Sequence, residues 1–173
     1  MKIKQLLICL FFLGTVPTVC AQEKASVILE KAMAQAKKEK KNVLVMYHAS
    51  WCSWCKKMEA NMQNEAVKSY FAKNYVTTFL TVQEKKENKN LENPGAEDIL
   101  KKYKADKSGI PFWQIYDADG NLLADSFNAK GENLGCPATK EEVAEFTEKL
   151  KKTSSLTEKQ RKKIEEVFVL KKK

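Results

Sequence analysis

Cys52 and Cys55 stand two residues apart in the run Trp51-Cys52-Ser53-Trp54-Cys55. An apolar run, Val43 to Tyr47, leads into them, and a helix-compatible run, Lys56 to Phe71, leads out. A cysteine pair at a strand-to-helix junction is suited to redox chemistry. The first sulfur lies near the unpaired N–H groups and the positive dipole end of the helix, which favours thiolate over thiol. The spacing puts the second sulfur on the same helix face, within reach of a mixed disulfide formed by the first. Two plainer readings compete. A structural disulfide across so short a loop would constrain little of the unfolded chain. A zinc site needs a second Cys/His pair at short spacing, and only Cys136 and the single histidine, His48, are on offer outside the N-terminal segment.

The residues around the pair bear on its chemistry. His48, four residues before Cys52, is read either as a proton carrier or cation acting on Cys52, or as a strand-end residue filling space. Ser53 and Trp54 lie between the cysteines and govern how well a thiolate is solvated. Trp51 and Trp54 also make a candidate apolar rim for an extended substrate.

Hydrophobic periodicity gives the elements that must position these residues. Ser26 to Lys40 reads as an amphipathic helix with Val27, Ile28, Ala32, Met33 and Ala36 on its apolar stripe, stopped by Asn42. Val43 to Tyr47 has the near-continuous apolar character of a buried parallel strand. Cys52 to about Ala72 reads as one helix with Met58, Met62, Val67, Tyr70 and Phe71 inward. Tyr75 to Val82 is a strand rich in β-branched and aromatic residues. Glu84 to Gly95 reads as an exposed loop, and Ala96 to Tyr103 as a helix. Phe112 to Tyr116 and Leu122 to Phe127 are strands joined by a turn at Asp117 to Asn121. Thr139 with Glu142 forms a capping-box pattern opening a helix to Lys151, and Ser155 to about Leu170 gives a last, basic helix. The order predicts an α/β fold with a central mixed sheet flanked by helices.

Two separated motifs, Ala49-Ser50-Trp51-Cys52-Ser53-Trp54-Cys55-Lys56-Lys57-Met58 and Gly109-Ile110-Pro111-Phe112, together with Val43-Leu44-Val45, make the chain resemble thioredoxin-fold proteins, in particular exported bacterial ones with a W-C-x-W-C site. The likeness spans roughly residues 24 to 152. It implies a thioredoxin fold with an N-terminal helix and an extra C-terminal helix. It also implies that Pro111 is a cis proline lying against the Cys52–Cys55 pair. Such a bond turns the Ile110 backbone outward, so its N–H and C=O can pair with a substrate main chain as an added strand would. By the same resemblance Cys52 forms the mixed disulfide, Cys55 resolves it, and Ile110, Pro111, Trp51 and Trp54 contact the substrate. Two departures stand out, one of them His48, at a position where thioredoxins often have an aromatic. Thioredoxins usually carry a buried acid six residues before the first active-site cysteine, and Met46 occupies that position.

The N-terminus carries a basic start, Met1-Lys2-Ile3-Lys4, an apolar core from Leu6 to Leu13, and Val19-Cys20-Ala21 after Gly14 and Pro17. This is the pattern of a signal peptide covering residues 1–21, cleaved after Ala21. Cys20 keeps open a lipoprotein reading, against which Val19 counts as a poor neighbour. The expected organisation is then 1–21 signal peptide, 22–152 thioredoxin-like domain and 153–173 basic C-terminal helical extension. An exported chain meets an oxidising compartment, where disulfides persist. Cys136, in Gly135-Cys136-Pro137, is read as buried and inert, against an intermolecular disulfide or extra redox site. The net charge of +9 is spread over helix faces and the C-terminus, not gathered into an arm with aromatics, which argues against nucleic acid as a partner.

The resemblance implies thiol–disulfide exchange on exported proteins with thiols or disulfides, in the reductase or isomerase direction. It implies a membrane electron-donor protein as partner and no metal or organic cofactor. A strong oxidase is the runner-up within this class. Two readings from other classes stay open: a non-catalytic thioredoxin-fold binding module, and a carrier in which Cys52, Cys55 and His48 hold a soft ion such as Cu(I).

Overall fold

The computed structural model describes residues 22–170. The expected signal peptide, with Cys20, lies outside the described residues. Within them a four-stranded sheet runs in the order β2-β1-β3-β4, with β1 at Asn42–His48, β2 at Tyr75–Thr81, β3 at Phe112–Tyr116 and β4 at Leu122–Asp125. β1 is parallel to β2 and antiparallel to β3, and β3 is antiparallel to β4, so the sheet is mixed. The helices are α1 (Ala25–Glu39), α2 (Ser53–Met62), α3 (Lys68–Asn74), α4 (Ala96–Lys102), α5 (Lys140–Thr153) and α6 (Glu158–Phe168).

Strand side chains alternate between faces, and β1 uses both. Val43, Val45 and Tyr47 pack with Ala32 and Ala36 of α1 and Leu100 of α4. Leu44 and Met46 point the other way, toward Met58 of α2, Phe71 of α3, Phe146 of α5 and Phe168 of α6. The sheet is thus buried on both faces, which is why β1 reads as an unbroken apolar run.

The structure departs from the sequence reading in three places. Lys40, in the left-handed conformation at φ 54°, ends α1, while Asn42 already belongs to β1. The single helix expected from Cys52 to Ala72 is two. Asn64 interrupts it: its carbonyl accepts from Val67 and Lys68, and its side chain accepts from the Ala66 N–H at 3.0 Å. A side chain that bonds nearby backbone competes with the helix ladder. The 84–95 segment is less exposed than expected. It contains a 3₁₀ turn at Lys86–Leu91, and both Glu84 and Asn93 are buried. The extra C-terminal helix, α6, packs into the main core. Leu156, Ile164 and Phe168 are buried there, and the Phe168 ring lies 5.2 Å from Phe146 and 6.3 Å from Phe71, centroid to centroid. Its basic residues face outward, and its N-terminus has a capping box of Thr157 and Gln160. The Thr139–Glu142 capping box of α5 is formed as its sequence suggests.

Candidate active site

Because β1 and β2 are parallel, the residues that follow them emerge side by side at one end of the sheet. Ala49 to Cys52 leave β1 there and turn into α2, with the Cys52 N–H donating to the Ala49 carbonyl at 3.1 Å. Cys52 is the N-cap of α2, with extended backbone at φ −79° and ψ 101°, and its sulfur accepts the Cys55 N–H at 3.1 Å. An N-cap acceptor satisfies one of the orphan donors of the first turn, and a negative charge there also meets the favourable end of the helix dipole. The same position therefore stabilises the Cys52 thiolate once the pair is reduced. Cys52 and Cys55 form a disulfide, with Cα atoms 5.3 Å apart.

The pair is sheltered. Cys52 is 3% and Cys55 2% exposed, in a small cluster with Ala49 and the side chain of Ile110. The Ile110–Pro111 peptide bond is cis. It places the Ile110 carbonyl oxygen 3.7 Å from the Cys52 sulfur, and among the described residues the Ile110 N–H has no hydrogen-bond partner. Trp51 and Trp54 are the exposed large side chains beside the two cysteines, at 47% and 49%. Trp54 borders a cleft of about 370 Å³ whose other walls are Ser108 to Pro111, the segment from Asn133 to Cys136, and Ala138, Thr139 and Glu142 at the start of α5. Ser53 opens α2 on its exposed side.

His48 ends β1 on the side of Thr81 and Phe79. Its Nε2 lies 3.3 Å from the Thr81 hydroxyl, and its ring centroid is 5.4 Å from that of Phe79. Burial pushes its pKa below the ordinary 6.5, against the pull of Glu59 and Glu84. Burial thus favours the neutral ring over the cation of the sequence reading. Met46 is fully buried among apolar side chains. Cys136 is a free, buried thiol at the cleft wall, and burial pushes its pKa up to about 11. Among the described residues no three His, Cys, Asp or Glu side chains come together as a metal-holding group.

Four residues at the site escaped sequence reasoning. Glu84, buried at 4% exposure, accepts from the N–H of Ser50 and from its hydroxyl, the latter at 2.8 Å. Gln83, left-handed at φ 53°, accepts the Trp51 indole N–H at 2.9 Å through its carbonyl, and its side chain donates to the Asp106 carbonyl. The corner after β2 thus braces the turn after β1. Parallel pairing of the two strands was the signal that could have found Ser50, Gln83 and Glu84. For Asn133, which bonds the loop before β3, the sequence held no such signal.

A family model described as thioredoxin-like matches residues 25–118. No curated protein matches the chain. Among solved structures, a disulphide isomerase from Xylella fastidiosa Temecula1 is similar at 20% identity and TM-score 0.48, over 65% of this chain and 77% of that one. A DsbH oxidoreductase is similar at 22% identity and TM-score 0.41, over 83% and 95%. The C-terminal domain of Neisseria meningitidis DsbD, in its oxidised form, is similar at 23% identity and TM-score 0.40, over 61% and 84%.

Proposed function

The chain belongs to the thioredoxin-like family and has the cysteine pair of a thiol–disulfide oxidoreductase, and from that premise we propose that it exchanges thiols and disulfides with exported proteins in the reducing or isomerising direction. The observation that carries this reading is the Cys52–Cys55 disulfide at the start of α2, with the Cys52 sulfur as N-cap beside the Ile110 carbonyl. The signal-peptide pattern of residues 1–21 supports export.

In the reduced protein the Cys52 thiolate attacks a substrate disulfide. One substrate sulfur leaves as a thiol, and the other is bonded to Cys52. The Cys55 thiolate then attacks the Cys52 sulfur, closing the Cys52–Cys55 disulfide and releasing the second substrate thiol. Two electrons pass from the protein to the substrate, and a membrane electron-donor protein restores the dithiol. In isomerisation a different thiolate of the same substrate attacks the substrate sulfur of the mixed disulfide before Cys55 does, forming a new substrate disulfide and releasing the Cys52 thiolate, so no net electrons pass. Throughout, Ile110 offers its N–H and C=O to the substrate main chain, with Trp51 and Trp54 as the apolar rim.

The test is the redox equilibrium of residues 22–173 against glutathione, with Cys136→Ser as control. A potential near about −250 mV supports the reducing direction, and one near about −120 mV makes the protein an oxidase. If the pair neither forms its disulfide nor exchanges, the protein is a binding module instead.

A further inference from the structure

Asn133 lies beyond the part of the chain matched by the family model, in the loop between β4 and α5. Its side chain joins five groups. The amide nitrogen Nδ2 donates to the carbonyls of Ser108 at 3.2 Å, Gly109 at 3.0 Å and Pro111 at 3.1 Å. The oxygen Oδ1 accepts from the Ser126 hydroxyl at 2.7 Å and the Gly135 N–H at 2.9 Å. The network fixes the orientation of the amide, since the opposite one would set its oxygen against three carbonyl oxygens. Two N–H groups serve three carbonyls, so at least one bond is shared.

The carbonyls that Asn133 takes are those on either side of Ile110, and the one it leaves is that of Ile110. That oxygen instead faces the Cys52 sulfur, and the Ile110 N–H is unpartnered among the described residues. The loop carrying Asn133 is itself anchored. The Leu134 N–H donates to the Ser126 carbonyl at 2.7 Å, and the Trp113 indole N–H donates to the Gly135 carbonyl at 3.0 Å. Gly135 has a φ of 57°, in the region that favours glycine, which lets the loop turn beside Pro111. The clamp therefore joins an anchored segment to the loop before β3 and spares its central residue.

We infer that Asn133 is a positioning residue for substrate: by holding the carbonyls of Ser108, Gly109 and Pro111 it keeps the Ile110 N–H and C=O presented to a substrate main chain beside Cys52. This rests on the proposed exchange reaction. It assigns Asn133 no contact with the reacting sulfurs.

The test compares wild type, Asn133→Ala and Asn133→Asp on two substrates, a disulfide-linked fluorogenic peptide and oxidised glutathione. Asn133→Asp keeps an acceptor for Ser126 and Gly135 but turns a carboxylate on the three carbonyls. Ile164→Ala, in α6, controls for general loss of stability. The expected result is a KM for the peptide raised about tenfold or more in both Asn133 variants, with the glutathione rate and equilibrium within about twofold of wild type. An unchanged peptide KM in a folded variant overturns the role, as does an equal fall with both substrates or an equal KM rise in Ile164→Ala. Should neither variant fold, amide NMR of the wild type decides. Peptide must shift the Ile110 N–H while the Asn133 side-chain amide stays protected from exchange, and an unmoved Ile110 or an unprotected Asn133 overturns the role. A wild type that exchanges nothing with glutathione sinks the reaction itself, whereas failure of the Asn133 results alone leaves it standing.

Discussion

In the oxidised protein, alkylation of Cys136 is expected to run at least about tenfold slower in the folded than in the unfolded chain, a floor set by thiolate chemistry alone. Burial pushes this thiol from 9.0 to about 11, with the nearby Lys57 pulling only partly the other way. At pH 8 the thiolate fraction therefore falls by about 100-fold. A more basic thiolate is intrinsically more nucleophilic, and with a Brønsted slope of about 0.4–0.5 this returns about 6- to 10-fold. The net chemical slowing is about 10- to 15-fold, and steric shielding of a residue only 8% exposed adds to it. Iodoacetamide labelling of the oxidised protein at pH 8, with and without denaturant, read by mass spectrometry of the Cys136 peptide, gives the ratio directly. A folded rate within about threefold of the unfolded one refutes the reasoning, because neither the raised pKa nor the shielding would then be operating. The linkage has a matching sign. A thiol whose folded pKa is raised binds its proton more tightly in the native state, so this contribution to stability is present below pH 9 and is lost as pH rises toward 11.

Two further predictions concern the frame. Phe168→Ala should cost about 3–5 kcal/mol, measured as a lower urea midpoint at unchanged slope, because it removes a fully buried ring from between Phe71 and Phe146. A cost below about 1 kcal/mol would return α6 to the status of a separate extension. His48, held neutral by burial, takes up its proton more readily in the unfolded chain, so stability should fall as pH drops below about 6.5. In His48→Gln that part of the pH dependence should vanish, and if wild type and variant lose stability in parallel between pH 7.5 and 5.5, the ring is not buried as described.

The chemistry of this chain was more legible than its supports. Cys52 and Cys55 are found from sequence because the requirement is local: two thiols at i and i+3 with a strand before and a helix after. The strands were legible for a similar reason, since β1 between two helical layers must be apolar on both faces. Local reasoning went wrong where a polar residue acts across the fold. Asn64, an ordinary surface residue by its neighbours, bonds its own backbone and splits the helix. Glu84, in a charged run that reads as loop, is buried because Ser50 lies beside it once β1 and β2 pair. The last helix looked separable because its basic face dominates the composition. Its inward side chains, Ile164 and Phe168, together with Leu156 just before it, decide its placement.

The same contrast runs through the site. The Cys52 sulfur is stabilised by groups within three residues of it, the backbone of its own helix start. The surfaces that would receive substrate are held by residues far away in sequence: Trp51 through Gln83, Ser50 through Glu84, and the Ile110–Pro111 loop through Asn133. Reactivity and recognition are thus separable in this fold. On the proposed reading, a substitution at Asn133 weakens peptide binding without moving the redox equilibrium of the pair, and a change at the helix start does the reverse. Met46 sharpens the point. With a thioether where an acid is usual, and Glu84 committed to Ser50, neither position offers a free carboxylate for the Cys55 proton. The poise of the pair then rests on the helix start and on burial, the two features that the Trp-Cys-Ser-Trp-Cys run and its flanking elements supply together.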